Sequence, residues 1–207
     1  MIEVLLAMDP VTVLAFVGAG VLLNLTPGAD VAFATATALG SGARAGVAAA
    51  LGISLGSLVH VGLAAFGVAA ALAAWPLGFD LIRWAGAAYL LVLAVQTWRR
   101  ADLPEATARP RSLTRAITRG FVTNVLNPKV ALFVLAFLPQ FADPGIGPVY
   151  LQMLVLGALF ATTGFFITAG YALATGAFGT LLRRRLSGIR KLTSIVFAGL
   201  AVRLVFD

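Results

Sequence analysis

The sequence contains no cysteine and a single histidine, which excludes disulfides and thiolate metal sites and leaves little for a metal cluster. Charge is almost as scarce. Fifteen Lys+Arg and eight Asp+Glu make up 11% of the 207 residues, against about 25% in typical soluble domains. No phosphate-binding GxxxxGK(S/T) loop is present, so the chain does not hydrolyse ATP itself, and HExxH and CxxC patterns are missing too. The N-terminal segment carries Glu3 and Asp9 but neither Lys nor Arg, unlike a removable signal peptide.

What is present is apolar: 60% hydrophobic residues, with a mean hydropathy of +0.99. A water-soluble globule of this size would lack the polar residues to cover its surface. That excludes an ordinary cytosolic enzyme, a disordered chain and a nucleic-acid-binding domain, despite a net charge of +7 and a pI of 11.1. The class expected is an all-α, polytopic membrane protein.

A helix crosses the hydrocarbon core with about 20 apolar residues. The charge-poor stretches predict six helices, roughly 11–39, 45–73, 79–98, 120–141, 149–175 and 191–206. The first is too long for one span, reaching about 43 Å at 1.5 Å per residue. Its interior, Asn24-Leu-Thr-Pro27-Gly28-Ala-Asp30, explains the excess, because Pro removes a helix hydrogen bond and Gly loosens the backbone. Helix one is expected to be discontinuous.

Loop basicity orients the helices. Arg44 lies in the first connection, Arg99, Arg100, Arg109, Arg111, Arg115 and Arg119 in the third, and Arg183, Arg184, Arg185, Arg190 and Lys191 in the fifth. Twelve of fifteen bases thus share one side, with Arg83 and Arg203 opposite and Lys129 inside a span. Both termini are expected outside. Trp75 and Trp84 flank the second connection and Trp98 marks the inner end of helix three, as interfacial belts require. One transmembrane domain, 1–207, is expected, with pseudo-repeats of about 1–98 and 120–207 joined by a basic cytoplasmic loop, 99–119.

Six helices with both ends on one side allow an inverted 3+3 repeat. Helix four carries Asn124-Val-Leu-Asn127-Pro128-Lys129, and Pro27 and Pro128 stand 101 residues apart. Transporters of this design place substrate sites at interrupted helices. Asp30 and Lys129 are the acid and base inside spans, where an ionised group costs about 2.5–3.5 kcal/mol on insertion scales. They read either as a substrate and proton site or as an ion pair joining the halves. Asn24, Asn124 and Asn127 either cap the half-helices or touch ligand. His60, mid-span on helix two, reads as a packing residue or a proton relay, and Gln140 as an interface residue or a gate. The series Gly52, Gly56, Gly62, Gly67 reads as close helix packing. Tyr89 and Tyr171 have no distinguishing context.

Around the two breaks the sequence resembles the LysE family of bacterial amino-acid exporters. The residues that carry the resemblance are Asn24-Leu-Thr-Pro27-Gly28-Ala29-Asp30, Gly42 and Gly46 with Gly52 and Gly56, Gly120-Phe-x-x-Asn124-x-x-Asn127-Pro128-Lys129, and Phe137-Leu-Pro139-Gln140-Phe141. Ala29 stands where the family usually has a second proline, which keeps the helix break. The resemblance implies export of an amino acid or similar small metabolite across the bacterial inner membrane, energised by protons. Small solute, protons and lipid are then the partners, with no nucleic acid, cofactor or metal; a homo-oligomer is compatible. An uncoupled channel is the rival, although channels usually line their pores with symmetric rings. An intramembrane enzyme would need a nucleophile with a base, and Thr162 and Thr163 have none.

Overall fold

The computed structural model describes residues 2–74 and 112–206 with isolated helical positions between 84 and 98; at Ile2, 68–74, 175–190, Leu200 and 203–206 it describes the backbone alone. A short helix α1, Ile2–Ala7, precedes α2, Pro10–Leu25. Asp9 caps α2: its Oδ2 accepts from Thr12 N at 2.8 Å and from Thr12 Oγ1 at 2.9 Å. Those two bonds hold the Asp9 carboxyl below the usual range. Next come α3, Ala29–Ser41, and α4, Ala43–Ala74, joined through Gly42, whose φ of +89° favours glycine. Then follow α5, Leu113–Val125, and α6, Pro128–Phe137. Two 3₁₀ turns, Leu138–Phe141 and Pro144–Ile146, lead into α7, Val149–Phe206.

By length and composition, Ala43–Gly67 and Val149–Ala174 can each cross a membrane, and so can two bent pairs. Helix one is α2 and α3, bent by 51° across Thr26-Pro27-Gly28; helix four is α5 and α6, bent by 56°. Both expected interruptions are present. Helix four does not begin at Gly120, however. Ser112 Oγ accepts from Arg115 N at 3.2 Å and starts α5 at Leu113, so Leu113 to Arg119 are helical. The sequence reading missed this because Arg115 and Arg119 are charged, yet both lie on the exposed face of the first turns. Helix three, Trp75, Arg83 and Arg99 to Arg111 lie largely or wholly outside the described residues.

Helical backbone extends from Val149 to Phe206, where two helices, 149–175 and 191–206, were expected. The rings of Phe160 and Phe197 nevertheless lie 5.4 and 6.4 Å from that of Phe133. A straight helix would separate residues 160 and 197 by about 55 Å. The chain therefore reverses between them.

Contacts give the relative directions. Gly52 meets the Ile117 backbone, while Gly56 and His60 meet Asn124 further along, so α4 and α5 run parallel. Gly20 meets Phe160 and Asn24 meets Gly164, so α2 and the first part of α7 are parallel as well. Lys129 reaches Leu23 and Thr26 while Phe137 stacks on Phe16, so the two broken helices are antiparallel. Lys191 Nζ lies 6.0 Å from the Trp98 ring centroid, which puts these two expected inner-end residues on one side.

Phe16, Phe133, Phe137, Phe160 and Phe197 fill the core between the halves. The glycine series packs only in part. A Cβ on Gly52 would overlap the Ile117 backbone, and one on Gly56 would stand 2.9 Å from Asn124 Cβ; at Gly62 and Gly67 it would meet nothing among the described residues. Close packing is thus present in the first half of the series.

Candidate functional site

The two helix breaks face each other across a cavity of about 20 Å³ lined from α2, α3, α4, α5, α6 and α7. A water molecule needs about 10–15 Å³ on this measure, so the cavity holds one water and no amino acid.

A broken helix leaves carbonyls without amide partners, and in a membrane these must be satisfied by the protein. At the end of α2, Leu22 O accepts from Thr26 N at 3.0 Å and from Thr26 Oγ1 at 2.7 Å. Tyr171 Oη donates to Leu25 O at 2.7 Å, which gives that tyrosine a role its sequence context did not show. Lys129 Nζ donates to Leu23 O and to Thr26 O, both at 2.7 Å. Lys129, at the start of α6, therefore holds the end of α2. At the second break, Asn124 O accepts from Asn127 N at 2.8 Å and from His60 Nε2 at 3.1 Å. That contact makes His60 an Nε2–H donor and a cap of the end of α5.

The two helix starts differ. At α6, Asn127 Oδ1 accepts from Lys129 N at 3.1 Å, so Asn127 caps that helix, and it lines the cavity as well. At α3 the cap position is Gly28, which offers no side chain. The first-turn amides of α3 thus point without a side-chain acceptor beside the Lys129 stem, whose Cδ and Nζ lie 3.6 and 3.7 Å from where a Gly28 Cβ would stand.

Asp30 sits in that first turn. Its Oδ2 accepts from Asn124 Nδ2 at 2.8 Å. Its Oδ1 is buried and has no hydrogen-bond partner among the described residues. Asn124 is itself buried, and Ser57 Oγ lies 3.3 Å from its Oδ1. Asn124 is thus engaged at both ends of its amide and orients Asp30, while it also lines the cavity. Asn24 lines the cavity and donates weakly to Phe160 O at 3.4 Å, which leaves it the asparagine best placed for ligand.

Gln140 is not brought to the site: its Nε2 lies 3.5 Å from Ala136 O in the turn after α6, and it does not line the cavity. Ser54, Ser57, Thr26 and Thr168 do line it, although sequence reasoning did not select them. A signal was available in Ser54-x-x-Ser57-x-x-His60, polar residues three apart on one face of an apolar helix. Gly52-Ile-Ser54-Leu-Gly56 also spells the GxSxG nucleophile pattern. It lies mid-helix rather than on a strand-to-helix turn, and Ser54 Oγ donates to Ala161 O at 2.8 Å, which no base shares.

The family model described as LysE type translocator matches residues 21–207. The chain belongs to the LysE family. As a LysE-family translocator it is a membrane transporter and not an enzyme. It is similar to an uncharacterized membrane protein of Vibrio cholerae, 32% identical over 190 residues, 90% of this chain and 92% of the relative. The leucine efflux protein of Klebsiella pneumoniae is 32% identical over 203 residues, 92% of this chain and 93% of its own. The homoserine/homoserine lactone efflux protein of Salmonella typhimurium is 32% identical over 160 residues, 76% and 77% of the two chains. No solved structure matches this LysE-family chain.

Proposed function

We propose that the protein exports an amino acid or related small metabolite across the bacterial inner membrane in exchange for protons, through the cavity between the two breaks. The observation that carries the reading is Asp30: a buried carboxylate oxygen without a hydrogen-bond partner among the described residues, in the first turn of α3, whose cap is Gly28, on a cavity that Lys129 also lines. The ammonium of an amino acid suits Asp30 Oδ1, and its carboxylate suits the α3 amides and Lys129. Asn24 supplies a neutral amide at the same wall. A carboxylate that takes either a proton or a substrate ammonium, never both, makes the two ligands alternate. That alternation is the requirement for antiport.

The leucine and homoserine efflux names of relatives agree with an amino acid as cargo. A cavity that holds one water is a closed state, and passage needs the halves to move. The inverted 3+3 arrangement with both termini outside fits such a motion, with the antiparallel broken helices as its moving parts. Purified protein in liposomes tests this. Wild type should accumulate leucine or homoserine uphill under a pH gradient, and Asp30→Asn should lose that accumulation. Uphill efflux that survives collapse of the proton gradient, or an Asp30→Asn protein working at wild-type rate, would refute the assignment.

A further inference from the structure

Discontinuous transporter helices hold coupling cations on the carbonyls that the break frees. In this chain the carbonyls of Leu23 and Thr26 converge on one cation, the Lys129 ammonium, at 2.7 Å each. The negative end of the α2 dipole points at the same place. We propose that Lys129 Nζ is a tethered cation: it fills a monovalent-cation site made by Leu23 O and Thr26 O, joins the end of α2 to the start of α6, and keeps the cavity shut.

A covalent stem ties this cation to the other half of the molecule. The stem runs from the second half of the molecule to the first, across the α3 cap at Gly28. Opening the bend therefore means drawing the ammonium off two carbonyls. This inference rests on reading the breaks as the moving parts of a transporter, but its test needs no transport, so it fails or stands separately from the substrate assignment.

The chain contains no cysteine, so one introduced thiol reports alone. Ser54→Cys places it in the cavity wall, and Ala43→Cys, exposed at the start of α4, serves as the accessible control. Lys129→Ala deletes three methylenes and the ammonium, which propylammonium restores; 1-propanol restores the shape without the charge. In the Ser54→Cys background, Lys129→Ala should raise the rate of labelling by a small thiol reagent about tenfold, as expected for losing charge-assisted hydrogen bonds. Propylammonium should slow it again, 1-propanol should not, and the Ala43→Cys rate should stay constant throughout. Lys129→Arg, which keeps the charge, should label slowly. Equal rates for Lys129 and Lys129→Ala overturn the proposal. So does rescue by 1-propanol as good as by propylammonium, which would reduce Lys129 to packing. Fast labelling that propylammonium leaves unchanged overturns the cation site itself.

Discussion

Asp30 depends on one neighbour more than on any other. Asn124 gives it the 2.8 Å bond and is held in turn near Ser57 Oγ. Asn124→Leu keeps the volume but removes that donor, leaving a buried carboxylate with a polar group unmet, which costs about 2 kcal/mol. Ser57→Ala should cost less, because Ser57 Oγ also bonds Ile53 O at 3.2 Å within its own helix and its loss leaves Asn124 bound to Asp30. Thermal unfolding in detergent should rank the variants wild type, Ser57→Ala, Asn124→Leu; equal losses would dissolve the idea that the amide serves the acid. Asp30, Lys129 and the three asparagines were readable because polar groups inside a span are rare and each needs a reason. Ser57, Thr35 and Thr163 each satisfy a hydroxyl on a carbonyl four residues back, so a serine or threonine in an apolar helix gives no sequence signal of its own. The partners of Lys129 were out of reach for another reason: they are backbone carbonyls in the other half of the chain, and residue type does not mark them.

The helix contacts separate glycines that look alike in sequence. A Cβ on Gly120 would overlap the Ala49 backbone, as one on Gly52 would overlap that of Ile117, so α4 and α5 touch backbone to backbone. Gly62, on the same helix as Gly52, has nothing among the described residues within 4 Å of its Cβ position. Gly120→Ala should therefore destabilise the protein by about 1–3 kcal/mol through overpacking. Gly62→Ala should be neutral or stabilise it by up to about 1 kcal/mol, the helix-propensity gain. Melting temperatures of the two variants check this, and a Gly62→Ala loss as large as that of Gly120→Ala would contradict the packing described. Both helix breaks were legible because Pro has no amide to give. The start of α5 was not, since hydropathy weighs the charge of Arg115 and Arg119 and ignores that one face of a helix can stay wet while the other packs on α4.

At the scale of the whole molecule, the contacts can be set beside what the loop charges predict. The bases predict that Arg44 and Arg115 share a side, and the parallel run of α4 and α5 brings their starts to the same end of the bundle. The two broken helices run oppositely, as an inverted repeat requires, and the α7 chain returns so that Phe160 and Phe197 both reach Phe133. Of the four described spans, or bent pairs counted as spans, the first and last run one way and the middle two the other. The membrane itself supplies the missing reference, and the absence of native cysteine makes it measurable. In intact cells, an impermeant thiol reagent should label a cysteine placed in the outer turn, Gly147→Cys, and should fail to label Ala43→Cys until the membrane is permeabilised. The expectation follows from the positive-inside bias around Arg44, which sits beside Ala43 and is exposed. Labelling of Ala43→Cys in intact cells with Gly147→Cys protected would turn the whole arrangement over while leaving every contact in place.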